Sequence, residues 1–433
     1  MTKEFVIHAI KACEVFDSRG TPTVACQVEL QGGYTGFMQV PSGASTGQYE
    51  AYESRDGDAA RYRGKGVIKT IDFIEQIIQP HLVGRLLDGI ATCDQMLCDL
   101  DGTSQKTRLG ANATLAVSGA FARAAADQSG LPLYAFLDAS ATQIPVPLMN
   151  VLNGGRHAGN ALTIQEFMIV PFGFSSLRDA LVASAEVTHV LSTLLRKTGD
   201  QLTRGDEGGF APQFSCAEQA LDLISEAIIQ AGLSYHQMGV ALDMAASEFA
   251  SQAGYFLDKQ GKQVLDPDQW VTHISRLCAA YPIVSIEDPA GDDDFAMWRL
   301  ITEALGSRVQ LVGDDIFVTQ VDRLSQGIDA ELANAILIKP NQVGTVTETL
   351  AAIQCAKQNQ YATVISHRSG ETEDGFIADL AVATSSTQIK AGPLRQSDRV
   401  AKYNRLLWIE KSLGSKALFA KPLFTHAVVQ ERG

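Results

Sequence analysis

Short apolar runs that each end in a charged residue recur through the second half of the chain, and this repetition limits what the chain can fold into. Pro282-Ile283-Val284-Ser285-Ile286 ends in Glu287-Asp288, and Pro289 then forbids the strand from continuing. Gly239-Val240-Ala241-Leu242 ends in Asp243, and Val309-Gln310-Leu311-Val312-Gly313 ends in Asp314. Downstream the final residue turns basic. Ala335-Ile336-Leu337-Ile338 ends in Lys339, Thr363-Val364-Ile365-Ser366 in His367, and Thr387-Gln388-Ile389 in Lys390. Successive end residues lie 44, 27, 25, 28 and 23 positions apart. Each step holds about one strand and one helix, the repeat of a (β/α) barrel, whose active site gathers at the C-terminal ends of its strands. Three carboxylates, two lysines and a histidine would then meet in one mouth, as a metal site facing a base.

A barrel takes about 250 residues, so 433 residues predict a second, smaller unit. The expected fold class is α/β: a (β/α)8-type TIM-like barrel over 141–433, preceded by an α+β domain over 1–140. The Pro-rich Ile144-Pro145-Val146-Pro147 marks the boundary. A net charge of −14 argues against nucleic acid or an anionic membrane as the main partner. No run approaches about 18 apolar residues, and Met1-Thr2-Lys3-Glu4-Phe5 has no apolar signal core, so a soluble, cytoplasmic chain is expected. Seven cysteines without a C-x-x-C pair read as reduced thiols.

In the first part, Val24–Leu30 and Tyr34–Val40 read as strands turned at Gln31-Gly32-Gly33. Ile71, Ile74, Ile77 and Ile78 have helical spacing stopped by Pro80, and a second helix runs from Ala111 to Ser129. The loop Pro41-Ser42-Gly43-Ala44-Ser45-Thr46-Gly47 reads equally as a surface loop or as a lid supplying a hydroxyl. In the second part, a strand running into Asn153-Gly154-Gly155 puts His157 on a tight turn. Thr163–Val170 reads as a strand with Gln165 and Glu166 inside an apolar frame. A buried carboxylate costs several kcal/mol unless paired, so Glu166 requires a partner. Arg204–Phe210 is an acidic loop whose glycines let the backbone approach a ligand. Asp266 and Thr345 are helix caps, the latter in a capping box with Glu348.

Asp243, Glu287 and Asp314 offer only hard oxygen ligands, which suits Mg²⁺ with positions left open for substrate. Lys339 ends an apolar strand in the same mouth. It reads either as a base, its pKa lowered by the metal and by Lys390, or as half of a buried ion pair. Ser366-His367-Arg368-Ser369-Gly370 combines an arginine fork, a hydroxyl and an expected helix N-terminus, the parts of a phosphate site. Together these point to a phosphorylated carboxylate that loses its α-proton while an acid assists departure of a β-hydroxyl. The dianion so formed needs concentrated positive charge. A second Mg²⁺ would draw ligands from substrate and from a loop residue such as Ser42.

Over nearly its full length the chain resembles the enolase family. The resemblance rests on Asp17-Ser18-Arg19-Gly20, the loop Ser42–Gly47, Asp99-Leu100-Asp101-Gly102, Asn153-Gly154-Gly155, Gln165-Glu166-Phe167-Met168 and Gly205-Asp206-Glu207-Gly208-Gly209. It continues through Ile286-Glu287-Asp288-Pro289, Val312-Gly313-Asp314-Asp315, Leu337-Ile338-Lys339-Pro340-Asn341-Gln342, the Ser366–Thr372 stretch and Ile389-Lys390. The resemblance implies reversible dehydration of 2-phosphoglycerate to phosphoenolpyruvate, with a lysine base and two Mg²⁺ per site. Carried over by motif, Asp243, Glu287 and Asp314 bind the first Mg²⁺, and Ser42 joins substrate in binding the second. Lys339 takes the C2 proton, while Glu207, supported by Glu166, assists loss of the 3-hydroxyl. Arg368 and Ser369 hold phosphate, Lys390 holds the substrate carboxylate, and His157, Gln165 and His367 line the pocket. A homodimer or octamer is implied as well.

Thr21, Met244, Gln39-Val40 and Ala391 depart from the family pattern at positions bordering the pocket or loop. They leave room for a relative acting on another phosphonate or phosphorylated acid. A non-catalytic binding protein of this fold would have lost a ligand or the base, and none is lost. The terminus Gln430-Glu431-Arg432-Gly433 lacks the final lysine of surface-binding relatives.

Overall fold

The computed structural model describes residues 4–43, 47–197, 199, 202–259 and 261–424. Ala44-Ser45-Thr46 of the expected lid and the terminus Gln430–Gly433 lie outside the described residues. The first part is a four-stranded antiparallel sheet in the order Thr35–Gln39, Pro22–Leu30, Phe5–Phe16, Leu86–Leu87. Its longest strand, Phe5–Phe16, is hidden in the sequence because a register shift between Ile7 and Ala9 breaks the alternation that would have revealed it.

Helix Ala111–Gln128 covers this sheet at close range, as its small residues require. A Cβ on Gly36 would sit 2.0 Å from the Ala120 carbonyl oxygen, and one on Gly119 would sit 1.7 Å from Met38 Sδ. Pro80 does not stop the preceding helix. Residues Phe73–Ile78 widen into a π turn, and the Gln79 N–H reaches back to Ile74 O. The chain then stays helical to Leu82, because the widened turn makes room for the proline ring and its missing N–H.

The second part is a closed eight-stranded barrel. Its strands in chain order are Val146–Asn153, Glu166–Val170, Gly239–Asp243, Ile283–Glu287, Gln310–Gly313, Ala335–Ile338, Ala362–Ser366 and Gln388–Lys390. Seven run parallel, but the second is antiparallel to both neighbours. This departs from a uniform strand–helix repeat. Two helices, Leu177–Lys197 and Ala217–Gln230, follow in succession before the third strand. The long step from Asp243 to Glu287 holds a small three-stranded ribbon as well as a helix.

Alternation along each strand divides the core. Ala335 and Leu337 join Val312, Val364 and Met168 inside the barrel, while Ile336 and Ile338 pack outward beneath the helices. Within that interior Gln310 Nε2 donates to Gln388 Oε1 at 2.7 Å and to Ser285 Oγ at 3.0 Å. The expected caps are present: Asp266 forms a full capping box with Gln269, and the Thr345 hydroxyl accepts from Glu348 N–H.

Gly36→Val tests the helix–sheet contact. Its side chain has no free volume, so we expect destabilisation of about 1–3 kcal/mol, typical of overpacking, read as a lower denaturation midpoint. Gly89→Ala, whose Cβ meets nothing within 4 Å, is expected to leave the midpoint unchanged.

Candidate active site

The barrel geometry puts the expected side chains in one mouth. Asp243, Glu287 and Lys390 are the last residues of their strands, and Asp314, Lys339 and His367 each follow one. Glu166 opens the second strand rather than ending it, and reaches the mouth only because that strand is reversed. It lies across from Asn153 on one side and Asp243 on the other.

Lys390 is the charge centre of this mouth. Its ammonium lies 2.8 Å from Asp243, 2.7 Å from Glu287 and 3.3 Å from Glu166. Burial lowers its pKa, but the facing carboxylates outweigh burial and hold it well above the ordinary lysine value. The acids divide accordingly. Burial raises Asp243, yet Lys390 brings it below the usual range, whereas burial and then Asp243 push Glu287 well above it.

The lysine expected to be a base is also paired here. Lys339 donates to Asp314, whose other oxygen accepts from Gln342 Nε2 at 3.1 Å. Burial drives the Lys339 pKa down, the Asp314 carboxylate drives it up, and the net direction is up. The lowering expected from a bound metal and Lys390 is thus opposed by an anion of the chain that faces the amine directly.

On the other side of the mouth stand Glu166 and Glu207. The turn carrying Glu207 presses onto the end of the first strand and the turn after it: a Cβ on Gly205 would lie 2.5 Å from His157 O, and one on Gly209 2.5 Å from Asn153 Oδ1. His157, Glu166 and Glu207 bring ligand atoms within 4.8 Å of one another. Burial, and then Glu207, raise Glu166 well above the carboxylate range. Two imidazoles flank Glu207 Oε2, with His157 Nδ1 and His367 Nε2 each at 3.7 Å. Burial holds both histidines below their ordinary value. Gln165 Nε2 donates to Asp243 Oδ2 at 3.3 Å.

Arg368 is buried and held in a fork by a residue that sequence reasoning missed. Glu50 pairs with it at 2.8 and 3.2 Å, and Asn341 Oδ1 adds a contact at 3.2 Å. The expected helix N-terminus does not adjoin Ser369. That helix begins at Phe376, whose N–H is taken by Asp374 at 2.7 Å. Ser42 is not beside the carboxylates. Its backbone bridges Gly370, and its hydroxyl accepts from Arg55 at 2.9 Å and donates to Glu53 at 3.2 Å. Arg19, from the Asp-Ser-Arg-Gly motif, ties this loop down through the carbonyls of Ser42 and Gly43 at 3.2 and 3.3 Å.

Among the described residues the ligand atoms of Asp243, Glu287 and Asp314 do not all come within 4.8 Å of one another; Lys390 bonds the first two and Lys339 the third. Asp288, Asp314 and Asp315 do come within 4.8 Å of one another. Asp288 is spent on structure: its oxygens accept the N–H groups of Asp314 and Asp315 at 2.9 and 3.0 Å. Burial and the neighbouring Asp314 raise Asp315 to about 7. Among the described residues the pocket is lined by eight carboxylate side chains against three cationic ones, Lys339, Arg368 and Lys390. Such a concentration of carboxyl oxygen fits a hard metal cation.

Two family models account for the chain. One described as Enolase, N-terminal domain, matches residues 7–137, and one described as Enolase, C-terminal TIM barrel domain, matches residues 141–428.

An anion that takes the Arg368 fork now filled by Glu50 displaces that carboxylate. Glu50→Gln is therefore expected to tighten binding of inorganic phosphate on the order of tenfold, measured by calorimetry. Unchanged affinity would show that the pair does not guard this site.

Proposed function

The chain belongs to the enolase family, and from that premise we propose that this lyase catalyses the reversible, Mg²⁺-dependent dehydration of 2-phospho-D-glycerate to phosphoenolpyruvate. One observation supports the reading above others. Glu166, on the second strand, and Lys339, after the sixth, stand four strands apart around an eight-stranded ring. A substrate held between them presents one face to an amine and the opposite face to a carboxyl pair. Lys339 Nζ takes the C2 proton, the C–H electron pair becomes the C2–C3 double bond, and the C3–O bond breaks as Glu207 gives its proton to the departing hydroxyl. Glu166, with a carboxyl oxygen within 4.8 Å of one of Glu207, supports it in that role.

Base function requires that Asp314 be released from Lys339, and Asp314 is one of the three carboxylates proposed to hold Mg²⁺ with Asp243 and Glu287. Bound there, Mg²⁺ supplies positive charge at the substrate carboxylate, stabilising the negative charge that develops when C2 loses its proton. Lys390 adds fixed charge for the same carboxylate. Arg368 and Ser369 hold the phosphate once Glu50 gives way, and His157, Gln165 and His367 line the remaining wall. A second ion would use Ser42 with substrate, which requires the hydroxyl to leave Arg55 and Glu53.

We further propose a cytoplasmic homodimer or octamer and a domain division at 140/141. No helix among the described residues is long and apolar enough to cross a membrane.

Four outcomes test the mechanism. Phosphoenolpyruvate formation, followed by absorbance, is expected to stop with a chelator and return with Mg²⁺; turnover in metal-free buffer would remove the metal from the reaction. Failure to turn over 2-phosphoglycerate while another phosphorylated acid or phosphonate reacts would move the activity to a related substrate. Lys339→Ala is expected to abolish exchange of the C2 hydrogen with deuterated solvent. Glu207→Gln is expected to lower dehydration about 10²–10⁴-fold while that exchange continues, with substrate binding verified in both variants.

A further inference from the structure

Helix Ser397–Leu413 sends Arg399 beneath the loop that carries His367, Arg368 and Ser369. The side chain is fully buried. One terminal nitrogen donates to the Arg368 carbonyl at 2.6 Å and meets Nδ1 of His367, and the other donates to the Ser369 carbonyl at 2.8 Å. A guanidinium has only donors and does not deprotonate in a protein. The histidine nitrogen it meets must therefore accept, so Nδ1 carries no proton and the ring's single proton sits on Nε2. Burial, and then the Arg399 charge, hold His367 well below the ordinary histidine pKa, which agrees with a neutral ring.

Nε2 is buried and makes no hydrogen bond among the described residues, as is Glu207 Oε2. The two face each other at 3.7 Å, beyond bonding distance. We propose that Arg399 is a positioning residue that fixes His367 as the neutral Nε2–H tautomer, so that the ring offers the pocket a hydrogen-bond donor beside Glu207 and never a base. Once the two close from 3.7 Å to bonding distance, an N–H donated to Oε2 disfavours a proton on that oxygen. It leaves Oε1 as the oxygen from which Glu207 gives its proton. The catalytic part of this inference rests on Glu207 being the acid, as proposed above; the tautomer does not.

The test reads the ring directly. In protein labelled with ¹⁵N-histidine, long-range ¹H–¹⁵N correlation spectra distinguish a protonated ring nitrogen from a bare one, and His367→Gln assigns the signals. The expected result is a bare Nδ1 and a protonated Nε2 throughout the neutral pH range. Arg399→Met, which keeps length but removes every donor, is expected to let the Nδ1–H form appear and to lower kcat on the order of tenfold with little change in KM. Arg399→Lys, still a donor-only cation, is expected to keep the Nε2–H form. A proton on Nδ1 of the unaltered protein, or the same tautomer in Arg399→Met, would overturn the proposal. If Arg399→Met does not fold, the spectra of the unaltered protein and of Arg399→Lys still decide. Dehydration surviving in Glu207→Gln would remove the acid assignment while leaving the His367 spectrum as a separate result.

Discussion

The mouth of the barrel depends on one ammonium. Lys390, at the end of the eighth strand, is the common partner of Asp243, Glu287 and Glu166, which come from the third, fourth and second strands. Two like charges about 4 Å apart repel by about 4 kcal/mol even at an effective dielectric of about 20, and burial adds several kcal/mol for each ion taken out of water. Three ionised carboxylates could not share a dry site without a cation among them, and even beside Lys390 burial raises Glu166 and Glu287 well above the carboxylate range. The ammonium in turn could not be buried without them. Removing one partner of a buried pair costs about 3–5 kcal/mol, because the survivor is left unsatisfied. The barrel therefore closes around a charge cluster that is stable as a set.

A second ring of fixed charge holds the loops above it. Arg19 reaches from the N-terminal sheet to the carbonyls of Ser42 and Gly43, and Ser18 N–H bonds Glu371 O at 2.7 Å. From below, Lys402 pairs with Glu371 and donates to Thr372 O at 2.6 Å, one helical turn beyond Arg399. The loop carrying His367, Arg368 and Ser369 is thus clamped from two directions by cations that never face the pocket. This explains why backbone carbonyls there need no water partner, and why the loop can be irregular yet buried.

What the sequence revealed and concealed follows from the range of the interactions. The strand ends were legible because a charged residue closing an apolar run is a local signal, as in Leu242-Asp243 and Ile338-Lys339. The direction of the second strand was not: Glu166-Phe167-Met168-Ile169-Val170 reads the same whichever way it runs, and only its antiparallel pairing with both neighbours brings Glu166 to the mouth. Glu50 was passed over because its partner, Arg368, lies 318 residues away. Arg399 drew no reading from the sequence, since nothing nearby in the chain marks it as buried. The ion-pair alternative for Lys339 is present, but its partner was open for the same reason: the mouth was read by type of residue, and pairing with Asp314 depends on which side chain stands closest.

Each cation of the mouth is thus neutralised by the chain itself: Lys339 by Asp314, Arg368 by Glu50, and Lys390 by its three acids. A cation that engages Asp314 frees Lys339, and an anion that engages Arg368 frees Glu50. Either event changes the local charge in the direction that favours the other, so cation and anion binding are coupled, and thermodynamic linkage makes the coupling reciprocal. Glu50 belongs to the segment that follows Ser42, while Arg368 belongs to the barrel. Breaking their pair would free Glu50, while the backbone bridge between Ser42 and Gly370 still holds the N-terminal loop at the seventh strand's end. The internal ion pairs keep the mouth stable without a ligand, and the same pairs make its loops responsive to one.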